Sequence, residues 1–178
     1  YGVGEMIEDA LSRGCSDFIV GIGGSATNDG GVGMLRALGF EFLDENGEDV
    51  GNGAQALGRI AQIETKKKNP LLAESFFKVA CDVTNPLCGE NGATFIFGSQ
   101  KGVTEEQKVP IDDAMKHYAA ITEQALACDC VNAKGSGAAG GMGFAFLSYL
   151  QAELIPGIDL ILDAVGIEQE LKDADIVV

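Results

Sequence analysis

The chain of 178 residues contains a single histidine, His117. It reads as a satisfied or solvent-facing residue in mid-helix beside Tyr118. That leaves no base for a Ser/His/Asp or Cys/His nucleophilic arrangement. Cations are scarce as well: 12 Lys and Arg stand against 27 Asp and Glu, a net charge of −15. Such a surface repels phosphate backbones and anionic lipid, which excludes nucleic acid and a membrane surface as partners. An anionic small ligand would be met by the few cations present, or by a bound divalent metal, against the general field. No run approaches the ~18 apolar residues of a membrane span, and the opening residues do not read as a signal peptide. The five cysteines, Cys15, Cys81, Cys88, Cys128 and Cys130, are odd in number and irregularly spaced. Cys128 and Cys130 are too close for an ordinary disulfide and lack the second pair of a zinc site. They read as reduced thiols of a cytoplasmic protein.

What is abundant is apolar content, 46%, enough to fill a core, and glycine, 25 residues gathered in clusters. Clustered glycine without tandem repeats points to several tight loops converging on a ligand. No linker, repeat or low-complexity segment divides the chain. It begins in a helix without a starting Met and ends on Ala174–Val178, which reads as the start of a strand. The expectation is a piece of a longer chain.

The most informative stretch is Phe18 to Gly39. Phe18-Ile19-Val20 has the composition of a buried strand. Val32, Leu35 and Leu38 fall on one helix face, and Gly39 sits where a left-handed C-cap belongs. Between them lies GGSATNDG, Gly23 to Gly30. A strand passing through such a loop into a helix presents unpaired N–H groups and a positive helix end together, a common anion-binding arrangement. A structural turn is the competing reading, but it does not need Ser25, Thr27, Asn28 and Asp29 in five positions.

Taken in order, Val3, Met6, Ile7, Ala10 and Leu11 form an apolar helical stripe stopped by Gly14. Phe40–Leu43 leads into the tight turn at Asn46-Gly47, and residues 51–58 form another small-residue loop. Ile60–Ile63 reads as a strand or short segment, and Lys66–Lys68 beside Asn69-Pro70 as a solvated turn. Phe76–Val83 is the second clear strand, and Ala93–Phe97 the next. After the polar loop Gly98–Gly102, Thr104 caps a long helix with Met115, Tyr118, Ala119, Thr122, Ala125 and Leu126 inward. Pro110 marks either its true start or a kink, and Asp112 and Asp113 a solvated face. Residues 135–143, GSGAAGGMG, feed an apolar helix through Leu150. Ile158–Val165 is apolar and of open type; Ile167–Leu171 reads as helix. Strands alternating with helices give an α/β fold.

Three loops collect the polar groups. The first supplies Ser25, Thr27, Asn28 and Asp29; the second supplies Asp82, Thr84 and Asn85, with Lys101 nearby; the third supplies backbone N–H groups and Ser136. A carboxylate beside a phosphate-cradling loop can hold magnesium or accept a hydroxyl proton, and a lysine can neutralise a transferring phosphoryl group. The inventory suits phosphoryl transfer, though no Gly-Lys-Ser/Thr follows the first loop, so it is not a P-loop. A competing reading is an NAD-linked oxidoreductase domain: Gly21, Gly23 and Ala26 fit a loose G-x-G-x-x-A, with Asp44 further on. Asp44, however, leads into a hairpin-like Glu-Asn-Gly turn. A non-catalytic small-molecule or nucleotide-binding module is the third reading.

The segments GIGGSATNDGGVGMLRALG, CDVTNPLCGENGATFIFGSQKG, GAAGGMGFAFL and PGIDLILDAVGIEQELKDADIVV, in this order, resemble the bacterial glycerate kinase family, type I. The resemblance covers essentially the whole chain. It implies an ATP:glycerate phosphotransferase, an alcohol group being the acceptor, made of two α/β domains about a cleft. Family members are about twice this length, with A-P-D-S-F-K and T-G-E-G type segments that are absent here. Residues 1–178 then form a single α/β domain of mixed sheet and helices, inserted into the Rossmann-like domain and with little or no kinase activity alone. D-glycerate, ATP and Mg²⁺ are the implied partners, with 2-phosphoglycerate the favoured product and a homo-oligomer left open. The roles implied are Asp29 as Mg²⁺ ligand or base, and Asn28 and Asn85 orienting substrate. Lys101 would neutralise phosphate, with Gly23, Gly24, Ser25 and Thr27, and Gly137, Gly140 and Gly141, as the cradle. Two departures, Ser99 for the family's proline and Ser136 for its alanine, touch loop stiffness more than identity.

Overall fold

The structure, a computed structural model, describes residues 1–177. Five strands make two sheets: parallel β1 (Asp17–Gly21), β4 (Phe76–Ala80) and β5 (Glu153–Ile155), with β4 central, and an antiparallel pair β2 (Glu41–Leu43) and β3 (Gln62–Glu64). The helices are α1 (Gly2–Ser12), α2 (Val32–Ala37), α3 (Ala54–Leu57), α4 (Ala93–Phe97), α5 (Glu105–Leu126), α6 (Ala138–Leu150), α7 (Gly157–Val165) and α8 (Ile167–Glu170). The expected α/β class, with both parallel and antiparallel pairing, is what the chain adopts.

The register follows from alternation. Phe18 and Val20 pair with Phe77 and Val79 and point to the same side. Phe18 stacks on Phe77 at 4.7 Å between ring centroids, and Phe77 meets Phe146 of α6 at 6.0 Å. Leu35, Phe42, Leu57, Leu87, Tyr118 and Phe144 complete a continuous core. α1 lies so close on α2 that a Cβ at Gly4 would fall 2.3 Å from the Met34 carbonyl. Gly39 adopts φ +89°, the left-handed C-cap its position predicted. Among the described residues no helix is long and apolar enough to cross a membrane.

Several expectations need correction. Ala93–Phe97 is helix α4, not a strand; an alanine followed by four β-branched or aromatic residues carries no decisive period, and packing against α5 and α6 decides. Among the described residues, 174–177 join no strand, the Ala174 N–H going to the Leu171 carbonyl at 3.2 Å, and Ile176 is 82% exposed; Val178 lies outside the described residues. A strand needs a neighbour to satisfy its backbone, and none is offered. β5 was not foreseen, because three residues before Pro156 are too short to register as a run. The untyped Ile158–Val165 is α7, and the 51–58 loop contains α3, whose Ala56 and Leu57 are buried. Met6 lies off the inward face of α1 and is 74% exposed, leaving Ile7 and Leu11 to the core. Of the α5 stripe, Met115, Tyr118, Ala119 and Thr122 are buried, but Ala125 is exposed where the last turn runs past the core. Pro110 is not the start of α5, which begins at Glu105 and takes the proline within it; Thr104 N–H donates to Gln107 Oε1 at 3.0 Å.

Asp112 is the most consequential correction. It is 1% exposed rather than solvated. Its carboxylate accepts the Gly89 N–H at 2.9 Å and pairs with Lys116 Nζ at 2.9 Å, anchoring the loop after β4 to α5. Asp112→Ala in the full-length protein orphans that half-buried N–H and leaves Lys116 without its partner, and is expected to cost about 1–2 kcal/mol, read as a lower urea midpoint. His117 behaves as expected: its Nε2 meets the Ile60 carbonyl oxygen at 2.7 Å.

Candidate functional site

β1 and β4 run parallel, so the loops that follow them emerge at one sheet edge, the usual ligand side of an open α/β sheet. There they enclose a cleft of about 380 Å³. One wall is Gly21 to Ser25, continuing β1; another is Cys81 and Asp82, continuing β4; Lys101 and Ala139 close it. Gly23 and Gly24 have open space where a Cβ would stand, so a ligand can approach their backbone closely. Burial raises the Cys81 thiol pKa, which keeps that residue an apolar wall.

Lys101 ends the single turn Ser99–Lys101. Its ammonium donates to Ser25 Oγ at 2.9 Å and to the Thr27 carbonyl at 2.6 Å. Burial pulls its pKa below the ordinary value, and the charge of Asp29 pushes it partly back. Beyond Lys101 lies a second hollow of about 590 Å³, lined by Thr27, Asn28, Asp29 and Arg36, with Lys101 shared between the two. The lysine is thus the partition between the cavities.

Each expected site residue has a place. Asn28 is buried to 8% exposure; its Nδ2 donates to Thr94 Oγ1 at 3.1 Å, while its Oδ1 is buried without a partner. Asp29 accepts the N–H groups of Gly31 and Gly33, at 3.1 and 3.0 Å, one on each oxygen, and so fixes the turn into α2. Arg36 is committed to both Asp49 oxygens at 2.9 Å and to the Gly51 carbonyl, which leaves Lys101 as the cation facing the cleft. Asn85 lines neither cavity: its Nδ2 donates to the Asn91 carbonyl at 2.8 Å, and its own carbonyl accepts the Gly137 N–H at 3.0 Å.

The third glycine cluster does something other than offer an open loop. A Cβ at Gly137 would meet the Pro86 carbonyl at 2.1 Å, at Gly140 the Thr27 carbonyl at 2.2 Å, and at Gly141 the Gly30 Cα at 2.7 Å. These glycines let loops touch backbone to backbone, and Gly30 N–H donates to the Gly140 carbonyl at 2.9 Å. Ala139, left-handed at φ +54°, faces the cleft in their stead. The residue that the sequence argument placed in the second loop without selecting is Asp82. Its position at the carboxyl end of a parallel strand was the available signal.

The NAD-linked reading loses its structural support. Asp44 Oδ1 accepts the N–H groups of Asn46 and Glu48, holding a tight turn, and no helix follows before Ala54.

The comparisons with known proteins agree with one another. The chain is 44% identical over its whole length to "Glycerate kinase" of Halalkalibacterium halodurans, covering 47% of that protein. It is 45% identical over 99% of its length to "Glycerate 2-kinase" of Escherichia coli K12, covering 46% of it. The chain therefore spans about half the length of the curated relatives it matches. A crystal structure assigned as glycerate kinase 2 of Salmonella typhimurium LT2 superposes with a TM-score of 0.95 at 44% identity, over 98% of this chain and 47% of that one. With the profile of the glycerate kinase family matching residues 1–178 from end to end, the chain belongs to that family.

Proposed function

We propose that this domain forms part of a cytoplasmic enzyme that phosphorylates D-glycerate with ATP, giving 2-phosphoglycerate in preference to the 3-isomer. The observation that carries the reading is Lys101, a half-buried ammonium shared by two cavities. The triphosphate lies in the cleft against the backbone of Gly23, Gly24 and Ser25, and glycerate occupies the second hollow. Asp29 takes the proton from the attacking hydroxyl, the new O–P bond forms, the bond to the leaving oxygen of ADP breaks, and Lys101 meets the charge on the moving phosphoryl group. Each Asp29 oxygen accepts one N–H and retains a lone pair for that proton. Asn28, a residue of the hollow's wall, orients the substrate. Mg²⁺ entering with the nucleotide would be held by a carboxylate of the site, Asp82 lining the cleft and Asp29 the second hollow, and would neutralise charge on the phosphates.

The remainder of the enzyme is proposed as a second α/β domain packed on this one. Parallel sheets are ordinarily covered on both faces, yet Ile19 and Phe76 stand exposed on one face of this sheet, and Ile158, Ile161 and Val165 on α7. The test is ADP production with D-glycerate by the full-length protein beside residues 1–178. Activity of the long form alone is expected; silence from both returns the non-catalytic binding module. Asp29→Asn in the full-length enzyme is expected to lower kcat about 10²-fold, and a change within about threefold would remove Asp29 from the reaction.

A further inference from the structure

We infer that Asp82 is the side chain through which this domain holds the divalent cation of its nucleotide, an inference that rests on the kinase reading above. Asp82 is the second residue after β4, whose pairing ends at Ala80, and it lines the cleft. Its Oδ1 accepts the N–H of Gly157, the first residue of α7, at 2.8 Å. That bond fixes the carboxyl plane, and among the described residues no donor meets Oδ2. One oxygen is anchored and the other is available.

The charge balance requires such a group. Among the residues lining the cleft, Lys101 and Asp82 are the ionised pair, and they cancel. A nucleoside triphosphate brings several negative charges into a protein whose net charge is −15. One partly desolvated ammonium does not offset that load; a dication held beside it does. Magnesium is commonly bound by one or two carboxylates together with substrate phosphates and waters, not by a cage made wholly of protein. The described residues match that mode: they contain no cluster of three or more His, Cys, Asp or Glu arranged for a metal. Asp29 suits the task less well, because an N–H already occupies each of its oxygens and it belongs to the second hollow. The two carboxylates divide the work, Asp82 on the donor side and Asp29 on the acceptor side of Lys101.

The experiment is a Mn²⁺ titration of the full-length protein with β,γ-methylene-ATP present, free Mn²⁺ being read by electron paramagnetic resonance. Asp82→Asn is expected to weaken Mn²⁺ binding at least tenfold; affinity within twofold of the unaltered protein overturns the assignment and leaves Asp82 as a tie between β4 and α7. Should the variant fail to fold, the anomalous manganese signal in crystals of the unaltered protein with the same analogue decides. A peak beside the Asp82 carboxylate supports the assignment, and one elsewhere overturns it. Glycerate-dependent ADP release by the unaltered protein tests the kinase reading separately, so the two failures are distinguishable.

Discussion

Lys101→Met in the full-length enzyme is expected to lower kcat for glycerate phosphorylation about 10²–10³-fold, the usual cost of removing one preorganised group aimed at developing charge. The methionine keeps most of the apolar stem, so the fold loses little beyond the bonds to Ser25 Oγ and the Thr27 carbonyl. The lost term is the charge. It is a strong term because the ammonium is held away from bulk water, where its attraction for a phosphoryl oxygen is less screened. Arginine is not expected to rescue: the compact ammonium sits 2.9 Å from Ser25 Oγ and 2.6 Å from the Thr27 carbonyl, and a planar guanidinium does not reproduce that pair of bonds. The pH profile supplies a second readout. Burial lowers the Lys101 pKa, so the cation is lost, and activity with it, at a pH below the ordinary 10.5. A Lys101→Met enzyme within threefold of normal kcat, or with the same alkaline limb, would exclude Lys101 from catalysis.

Gly140→Ala is expected to be the most destabilising single-methyl change at the site. Gly140 holds φ +71°, where an L side chain is strained by about 1–3 kcal/mol. The new methyl would also be driven to 2.2 Å from the Thr27 carbonyl and 2.8 Å from the Asn28 Cα, an overpacking cost of about 1–3 kcal/mol more. Relief requires the first loop to move away, carrying with it the Gly30 N–H to Gly140 carbonyl bond and the Thr27 acceptor of Lys101. The variant should therefore lose both stability and activity. Gly24→Ala is the control: φ is +68°, but nothing lies within 4 Å of the added methyl. It should cost about 1–2 kcal/mol from backbone strain alone. Urea midpoints of the two full-length variants decide; equal destabilisation would mean that the loop contact carries no weight.

The first loop was legible because its signal is local. Strand, small polar residues and helix follow one another within Phe18–Gly39, and Gly23, Gly24 and Ser25 do line the cleft. The third cluster was less legible for the same reason. Composition shows that glycine is required there but not against what, and the partner of Gly140 lies at Thr27, more than a hundred residues earlier. Ala93–Phe97 and Asp112 failed in a related way: a five-residue run and a single aspartate on a helix have no local feature that reveals burial. Asp82 was visible as the end of a strand, but its tie to Gly157 was not.

By itself, then, the sequence determined the α/β class, the helix ends marked by Gly39 and Thr104, and, through its motifs, the family. The class and the helix ends depend on period and capping, and the family on the resemblance of whole segments, all of them properties of residues near one another in the chain. Tertiary structure alone decided that Lys101 reaches Ser25 across 76 positions, that two cavities share that lysine, that the Asn85 amide donates to the Asn91 carbonyl, and that Asp82 lines one cavity and Asp29 the other. The physical reason is the same in each case: the contact is made between backbones brought together by the parallel sheet, and no segment of the chain carries both halves of it.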